Sequence, residues 1–289
     1  MKLISMTKCM LMMGLCAASA VLALAQEDGA NGPPSVLVVQ REYTKPGKGG
    51  SEHARTEGAF AKAMAAGKAP AHYFAMTSMS GPDRVLFFSG YATFADWETA
   101  NTGMAKDATL GATLDRLNVE DGDMLSASDA SVWMQRPDES LNPGNLVGKR
   151  YMQIEMFKVK PGHGWEWDEV VKMVTEAYKK GVPDAGWVMF QQVYGTGGAS
   201  YVVLIPMKTL GDVDHSFAEG KAFVEALGKD GLKKLEELEA SCIEEEQTNL
   251  FHFNPAMSYV PDAWVKADPD FWKPKVVVVK KKVEVKPAP

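Results

Sequence analysis

The chain repeats itself, and that property restricts what it can fold into more than any other. Lys45-Pro46-Gly47-Lys48-Gly49 returns as Lys160-Pro161-Gly162-His163-Gly164, an offset of 115 residues. Each copy directly follows an alternating run of strand character, Val36 to Tyr43 in the first half and Tyr151 to Lys158 in the second. Further on, Thr93-Phe94 aligns with Thr209-Leu210 at an offset of 116, Leu114 and Leu117 with Leu232 and Leu235 at 118, and Pro137 with Pro255 at 118. Four ordered matches on an offset that drifts by only three residues describe two copies of one unit.

Each copy reads as β-α-β-β-α-β. In the second, strand Tyr151 to Lys158 and a Pro-Gly turn lead into a helix whose Trp167, Val170, Val171, Val174 and Tyr178 form one apolar stripe. Val182-Pro183-Asp184-Ala185-Gly186 ends it, and Trp187 to Tyr194 pairs with Tyr201 to Pro206 as a hairpin around Gly195-Thr196-Gly197-Gly198. Helical sequence from Asp212 to Glu246, broken near Gly228 or Gly231, precedes a last strand around Leu250 to Phe253. The first copy repeats the order with helix Ser51 to Ala66, strands His72 to Met79 and Arg84 to Tyr91, helical sequence Phe94 to Asp121, and strand Ser131 to Gln135. Gly58 in the middle of its first helix costs about 1 kcal/mol relative to Ala. The expected divisions are a leader at 1–25, a linker at 26–35, a first unit at 36–137, a Pro- and Gly-containing linker at 138–149, a second unit at 150–261, and an extension at 262–289.

Strand, then Lys-Pro-Gly-x-Gly, then an amphipathic helix, in a ferredoxin-like unit present twice, resembles the dimeric α+β barrel superfamily. That superfamily includes antibiotic-biosynthesis-monooxygenase-like and NIPSNAP-like domains. The resemblance covers about Val36 to Pro137 and Tyr151 to Pro255. It implies an α+β fold in which two tandem ferredoxin-like βαββαβ units pack their antiparallel sheets face to face as a single-chain α+β barrel. It also implies two chemistries known in the superfamily, cofactor-independent oxygenation and haem binding. The physical reason for the duplication stands without the family: a four-stranded sheet with helices on one face leaves its other face bare, and a second copy covers it.

Strand alternation divides each strand into two faces. On the first strand of the second copy, Met152, Ile154 and Met156 are uniformly apolar and are expected against the helices, which sends Tyr151, Gln153, Glu155 and Phe157 to the space between the sheets. The same logic puts Leu37 and Val39 under the helices and Val38, Gln40 and Glu42 inside. On the last strand, Phe251 and Phe253 oppose His252 and Asn254. The candidate ligand site is therefore Tyr151, Gln153, Glu155, His252 and Asn254, with Glu155 and His252 close enough on adjacent strands to hydrogen-bond. Such polar groups in a cavity otherwise lined by aromatics and Met suit a small apolar or aromatic molecule.

A chain of 289 residues with a net charge of −6 lacks the concentrated basic surface that nucleic-acid binding needs. Lys2 and Lys8, the apolar run Cys9 to Leu24, and Ala23-Leu24-Ala25 before Gln26 read as a cleaved secretory signal, which makes the expected location periplasmic or extracellular. Some 16 apolar residues are short of the roughly 20 that span a bilayer. Cleavage leaves Cys242 as the one thiol, expected to be buried and inert. The tail from Lys273 carries six Lys against Glu284 and could touch an anionic envelope surface. His53 and His72 have no sequence neighbours at metal-ligand spacing, and no metal ligand set, phosphate loop or nucleophile elbow is readable. The resulting expectation is an exported ligand-binding barrel without a cofactor. The alternative is an oxygenase-type enzyme, cofactor-free or with haem iron on His215, and homo-oligomers fit either.

Overall fold

The computed structural model describes residues 32–195 and 197–273. The expected signal and most of the basic tail lie outside these. The first unit comprises β1 (Val36–Thr44), α1 (Ser51–Ala66), β2 (Tyr73–Ser78), β3 (Arg84–Tyr91), α2 (Phe94–Ala105), α3 (Ala108–Gly122) and β4 (Leu125–Gln135). A 3-10 turn, Pro137–Glu139, begins the connection. The second unit comprises β5 (Tyr151–Val159), α4 (Gly164–Gly181), β6 (Val188–Tyr194), β7 (Ser200–Met207), α5 (Gly211–Cys242) and β8 (Ile243–Tyr259), and is followed by α6 (Asp262–Ala267) and α7 (Pro269–Trp272). None of the described helices is long and apolar enough to cross a membrane.

The eight strands form one closed barrel in the order β1-β3-β2-β8-β5-β7-β6-β4. Within it each unit keeps the ferredoxin-like order, with its first strand between its third and fourth: β1 pairs with β3 and β4, and β5 pairs with β7 and β8. The two sheets also hydrogen-bond to each other along both seams, β2 to β8 and β4 to β6. Edge pairing of this kind satisfies the backbone donors and acceptors that a simple face-to-face sandwich would leave open. The architecture is thus an α+β barrel made by one chain.

The stripe expected on α4 is the core of the second unit's helical layer. Trp167, Val170, Val174 and Tyr178 are almost completely buried, with Phe157 and Tyr201 of the sheet against Trp167 and Phe223 of α5 against Tyr178. Cys242, the last residue of α5, is fully buried in the same layer, and burial pushes its thiol up to about 11. The expected break in α5 falls at Gly228, whose φ of 69° and ψ of 171° interrupt the helix.

Strand β8 runs from Ile243 to Tyr259, far beyond the expected Leu250 to Phe253. Ile243 to Gln247 has the composition of a polar helix, but pairing with the full length of β5 overrides that preference. The far end of β8 crosses to the first unit and passes α1, where the carbonyl of Ala256 would lie 3.2 Å from a Cβ at position 58. That close approach is the reason for a glycine in the middle of α1.

Helices α6 and α7 close one end of the barrel. Trp264 stacks on Phe74 at 5.8 Å, Trp272 meets Phe253 edge-on at 6.3 Å, and both tryptophans are buried. Arg150 holds the segment by an ion pair with Asp268 at 2.7 Å and by lying 3.9 Å above the Phe271 ring. The opposite end of the barrel carries the cavity described next.

Candidate functional site

Alternate residues of all eight strands point into the barrel. Leu37, Phe74, Met152, Val188, Phe190, Leu204 and Phe253 fill the end near the tryptophan plug, and packing there is dense. Towards the other end the filling stops and a cavity of about 430 Å³ opens. Its walls are Leu86, Phe88, Trp133, Ile154, Met156, Val202 and Phe251, and its rim is Arg41, Tyr43, Arg84, Asp129, Lys158, Glu245 and Asn249. The volume and the mix of apolar wall with a few polar groups match those of small-molecule sites.

The cations of this rim differ in how they are balanced. Arg41 is neutralised by Asp129 at 2.5 Å and also reaches Ser131 at 3.0 Å. Lys158 pairs with Glu244 at 3.1 Å in an exposed position. Arg84 is only 7% exposed, donates to the carbonyl of Pro82 at 3.2 Å, and lies 5.1 Å above the Phe251 ring. Among the described residues no carboxylate forms an ion pair with it. Burial lowers its pKa, Tyr43 opposes that in part, and the like charge of Arg41 adds to it. A buried guanidinium without a counter-ion is costly, and the natural relief is an anionic group brought by a ligand.

The side chains singled out from the sequence lie elsewhere. The alternation is as expected but its sense is reversed: Met152, Ile154 and Met156 face the lumen, as do Leu37 and Val39. Tyr151, Gln153, Glu155 and Phe157 are on the helix side, with Phe157 packed on Trp167. His252 and Asn254 are on the outer face too, since Phe251 and Phe253 take the lumen. None of Tyr151, Gln153, Glu155, His252 or Asn254 lines the 430 Å³ cavity. The physical reason is that an eight-stranded barrel has an interior just wide enough for side chains to fill. Its lumen therefore takes the uniformly apolar set, and the polar set is buried under helices with hydrogen bonds of its own. Gln153 donates to Glu155 at 2.6 Å, and burial pushes the Glu155 carboxyl up to about 8.

Glu155 and His252 do occupy adjacent strands, as expected, but they do not meet. Glu155 stands opposite Thr248 and His252 opposite Tyr151. That separates them by four residues of β8, roughly 13 Å at the usual strand rise. Asn254 instead donates to Thr77 at 3.3 Å and accepts from the amide of Ala256 at 3.2 Å. Desolvation alone lowers the pKa of His252.

His215 is exposed near the start of α5 and lines no described cavity. No histidine lines the lumen or the second cavity, of about 270 Å³, under the helices of the first unit. Neither presents the imidazole that a haem iron takes as its axial ligand. The residues present therefore do not fit a histidine-ligated haem.

Arg84 was missed in the sequence because it begins a strand next to Gly81-Pro82-Asp83, where a charged residue reads as part of a solvated turn. The one available signal was its period-two spacing with Leu86 and Phe88, which puts all three on the face that proves to be the lumen.

Comparison with known proteins gives fold likeness alone. No family model matches the chain, and no curated protein matches it. Among solved structures, an anthrone oxidase-like protein is 13% identical with a TM-score of 0.46, over 76% of this chain and 91% of that one. A proposed monooxygenase from Lactobacillus acidophilus NCFM is 7% identical with a TM-score of 0.44, over 76% and 94%. A mutant chlorite dismutase from Candidatus Nitrospira defluvii in complex with cyanide is 10% identical with a TM-score of 0.47, over 81% and 95%.

Proposed function

We propose that the protein is a carrier or receptor for one small amphipathic molecule, held in the barrel lumen with its apolar body against Phe88, Trp133, Ile154 and Phe251 and an anionic head on Arg84. The observation that carries this reading is the buried guanidinium of Arg84, which faces a cavity of about 430 Å³ and has no carboxylate partner among the described residues. A hydrogen bond from a charged donor contributes about 1.5–3 kcal/mol, enough to prefer an acid over its neutral ester by tenfold or more. The walls supply affinity without direction, and the rim supplies orientation. Ligand entry is from the rim end, because the tryptophan plug occupies the other.

Calorimetric titration with aryl and medium-chain carboxylates and their methyl esters tests the proposal. The acids bind and the esters bind at least tenfold more weakly. Equal affinity for acid and ester, or no binding of either series, removes the reading. The proposal also takes the chain to act outside the cytoplasm with Gln26 as its first residue, and the intact mass of exported protein tests that independently. Retention of Met1 in the exported protein would overturn it.

A further inference from the structure

The geometry points to a divalent metal site in the first unit, made by Glu42 of β1, His53 and Glu57 of α1, and Asp121 of α3, that takes a first-row transition ion of the manganese, iron(II) or zinc class. The site lies on the opposite side of β1 from the lumen and stands independently of the ligand proposed there.

All four residues are nine-tenths buried or more, with His53 fully so. One ligand atom from each lies within 4.8 Å of every other. His53 Nε2 is 3.3 Å from Glu42 Oε2 and 3.6 Å from Asp121 Oδ1. Two donors each about 2.1 Å from a common ion are about 3–4.2 Å apart, so these spacings need only a small contraction to close on one. A set of one imidazole and three carboxylates, without a thiolate, selects the manganese, iron and zinc class over copper(I) or a cluster.

The electrostatics argue in the same direction. Three buried carboxyl groups face one imidazole, and the neutral donors that reach them are few: Gln40 to Glu42 at 2.8 Å and Thr56 to Asp121 at 2.6 Å. The carboxyl of Glu57 receives no hydrogen bond from the described residues, although the residue is 4% exposed. Its carboxyl faces the 270 Å³ cavity, walled by Val38, Phe60, Met64, Tyr73 and Phe87, which gives an ion a path to a set of residues otherwise enclosed. Without a cation, three buried carboxyl groups with oxygens within 4.8 Å of one another cannot all be ionised. A dication is the partner that lets all three acids ionise. Gln40 and Thr56 then serve as the outer hydrogen bonds that orient metal-binding carboxylates.

The second copy lacks the set. Glu42 pairs with Ser128 across β1 and β4, and the matching pair across β5 and β8 is Phe157 with Glu246. On the helices the buried stripes correspond at an offset of 114, so that Trp167 and Val171 stand where the first copy has His53 and Glu57. A polar set needed only to hold a helix on this sheet would not be replaced by Phe157 packed on Trp167 in the twin that holds its helix equally well.

The test uses full-length mature protein stripped with a chelator and titrated with Zn2+, Mn2+ and Co2+ alone. Expected are one equivalent bound, a rise in melting temperature with Zn2+, and a visible Co2+ absorption band. Glu57→Gln and Glu42→Gln each weaken binding at least tenfold and abolish the rise. Gln is close in shape to the protonated acid, so both variants fold, and their far-ultraviolet dichroism checks this. Glu239→Gln, a buried acid of the second unit, is the control and binds as the parent does. No binding by folded parent protein overturns the site, as does binding that survives both substitutions, because the ion then sits elsewhere.

Discussion

The guanidinium of Arg84 lies 5.1 Å above the ring of Phe251, inside the mouth of the barrel, and donates a hydrogen bond to the Pro82 carbonyl. The ring face offers partial compensation for a buried cation, worth about 0.5–2 kcal/mol, which is less than the cost of desolvating it. Arg84→Met keeps the length of the side chain and removes the charge. The variant is expected to be as stable as the parent or more so by about 1 kcal/mol in urea, and to lose carboxylate binding at least tenfold. A large destabilisation would make Arg84 a structural residue and sever it from the ligand.

Trp264 is the centre of the plug, 5.8 Å from Phe74 and 5.6 Å from Trp272. Because it closes the dense end of the lumen, its loss leaves a cavity continuous with the barrel core. Trp264→Ala is expected to cost about 3–5 kcal/mol in equilibrium denaturation. A loss below about 1 kcal/mol would mean that α6 and α7 rest on the barrel without contributing to it.

Two glycines of α5 separate backbone need from helix propensity. Gly228 has φ 69° and ψ 171°, a region open to glycine and hardly any other residue, although no atom would obstruct a Cβ there. Gly231 is helical, and a Cβ would make ordinary contact with Leu227 at 3.6 Å. Gly228→Ala should therefore destabilise by about 1–3 kcal/mol. Gly231→Ala should stabilise by up to about 1 kcal/mol. Melting curves of the two variants shifting in the same direction would contradict the assignment of the kink.

Much of the architecture was legible because it is local or repeated. The Pro-Gly turns, the α4 stripe ending at Tyr178 and the break at Gly228 are written in residues within a few positions of each other, and the 115-residue offset supplies the tandem units. What was not legible depends on pairing between distant segments. Nothing near Ile243 to Gln247 says that β5 will claim it as strand, and nothing near Met152 says whether an apolar set meets helices or a lumen when both are dry. The sense of the alternation decided the candidate site, so that one ambiguity moved Gln153 and Glu155 from a cavity into a helical layer. Glu42, His53, Glu57 and Asp121 escaped for the same reason: β1, α1 and α3 bring them together from distant stretches of chain, and the four-residue spacing of His53 and Glu57 alone does not mark a metal site.

The burial of Glu155 under the helices makes stability depend on pH. Its side chain is fully buried, one oxygen accepts from Gln153 at 2.6 Å, and the other, Oε2, has no partner among the described residues. Burial, partly offset by Gln153 and reinforced by Glu246, raises the carboxyl to about 8. An unfolded glutamate titrates near 4.3, so between about 4.3 and 8 the folded state binds a proton that the unfolded state has released. The sign follows: this contribution to stability is fully present below about 4.3, declines as pH rises, and is gone above about 8. Each such proton gives a slope of about −1.4 kcal/mol per pH unit in the middle of the window. Glu239 is raised to about 8 and Glu57 to about 9, so they act over much the same range. Glu155→Gln, which retains one acceptor for Gln153 and cannot ionise, should make the fall in urea stability between pH 5 and 8 shallower without abolishing it. Denaturation curves for parent and variant at pH 5, 6.5 and 8 measure this, and identical slopes would show that Glu155 is ionised throughout, with a countercharge or water at Oε2.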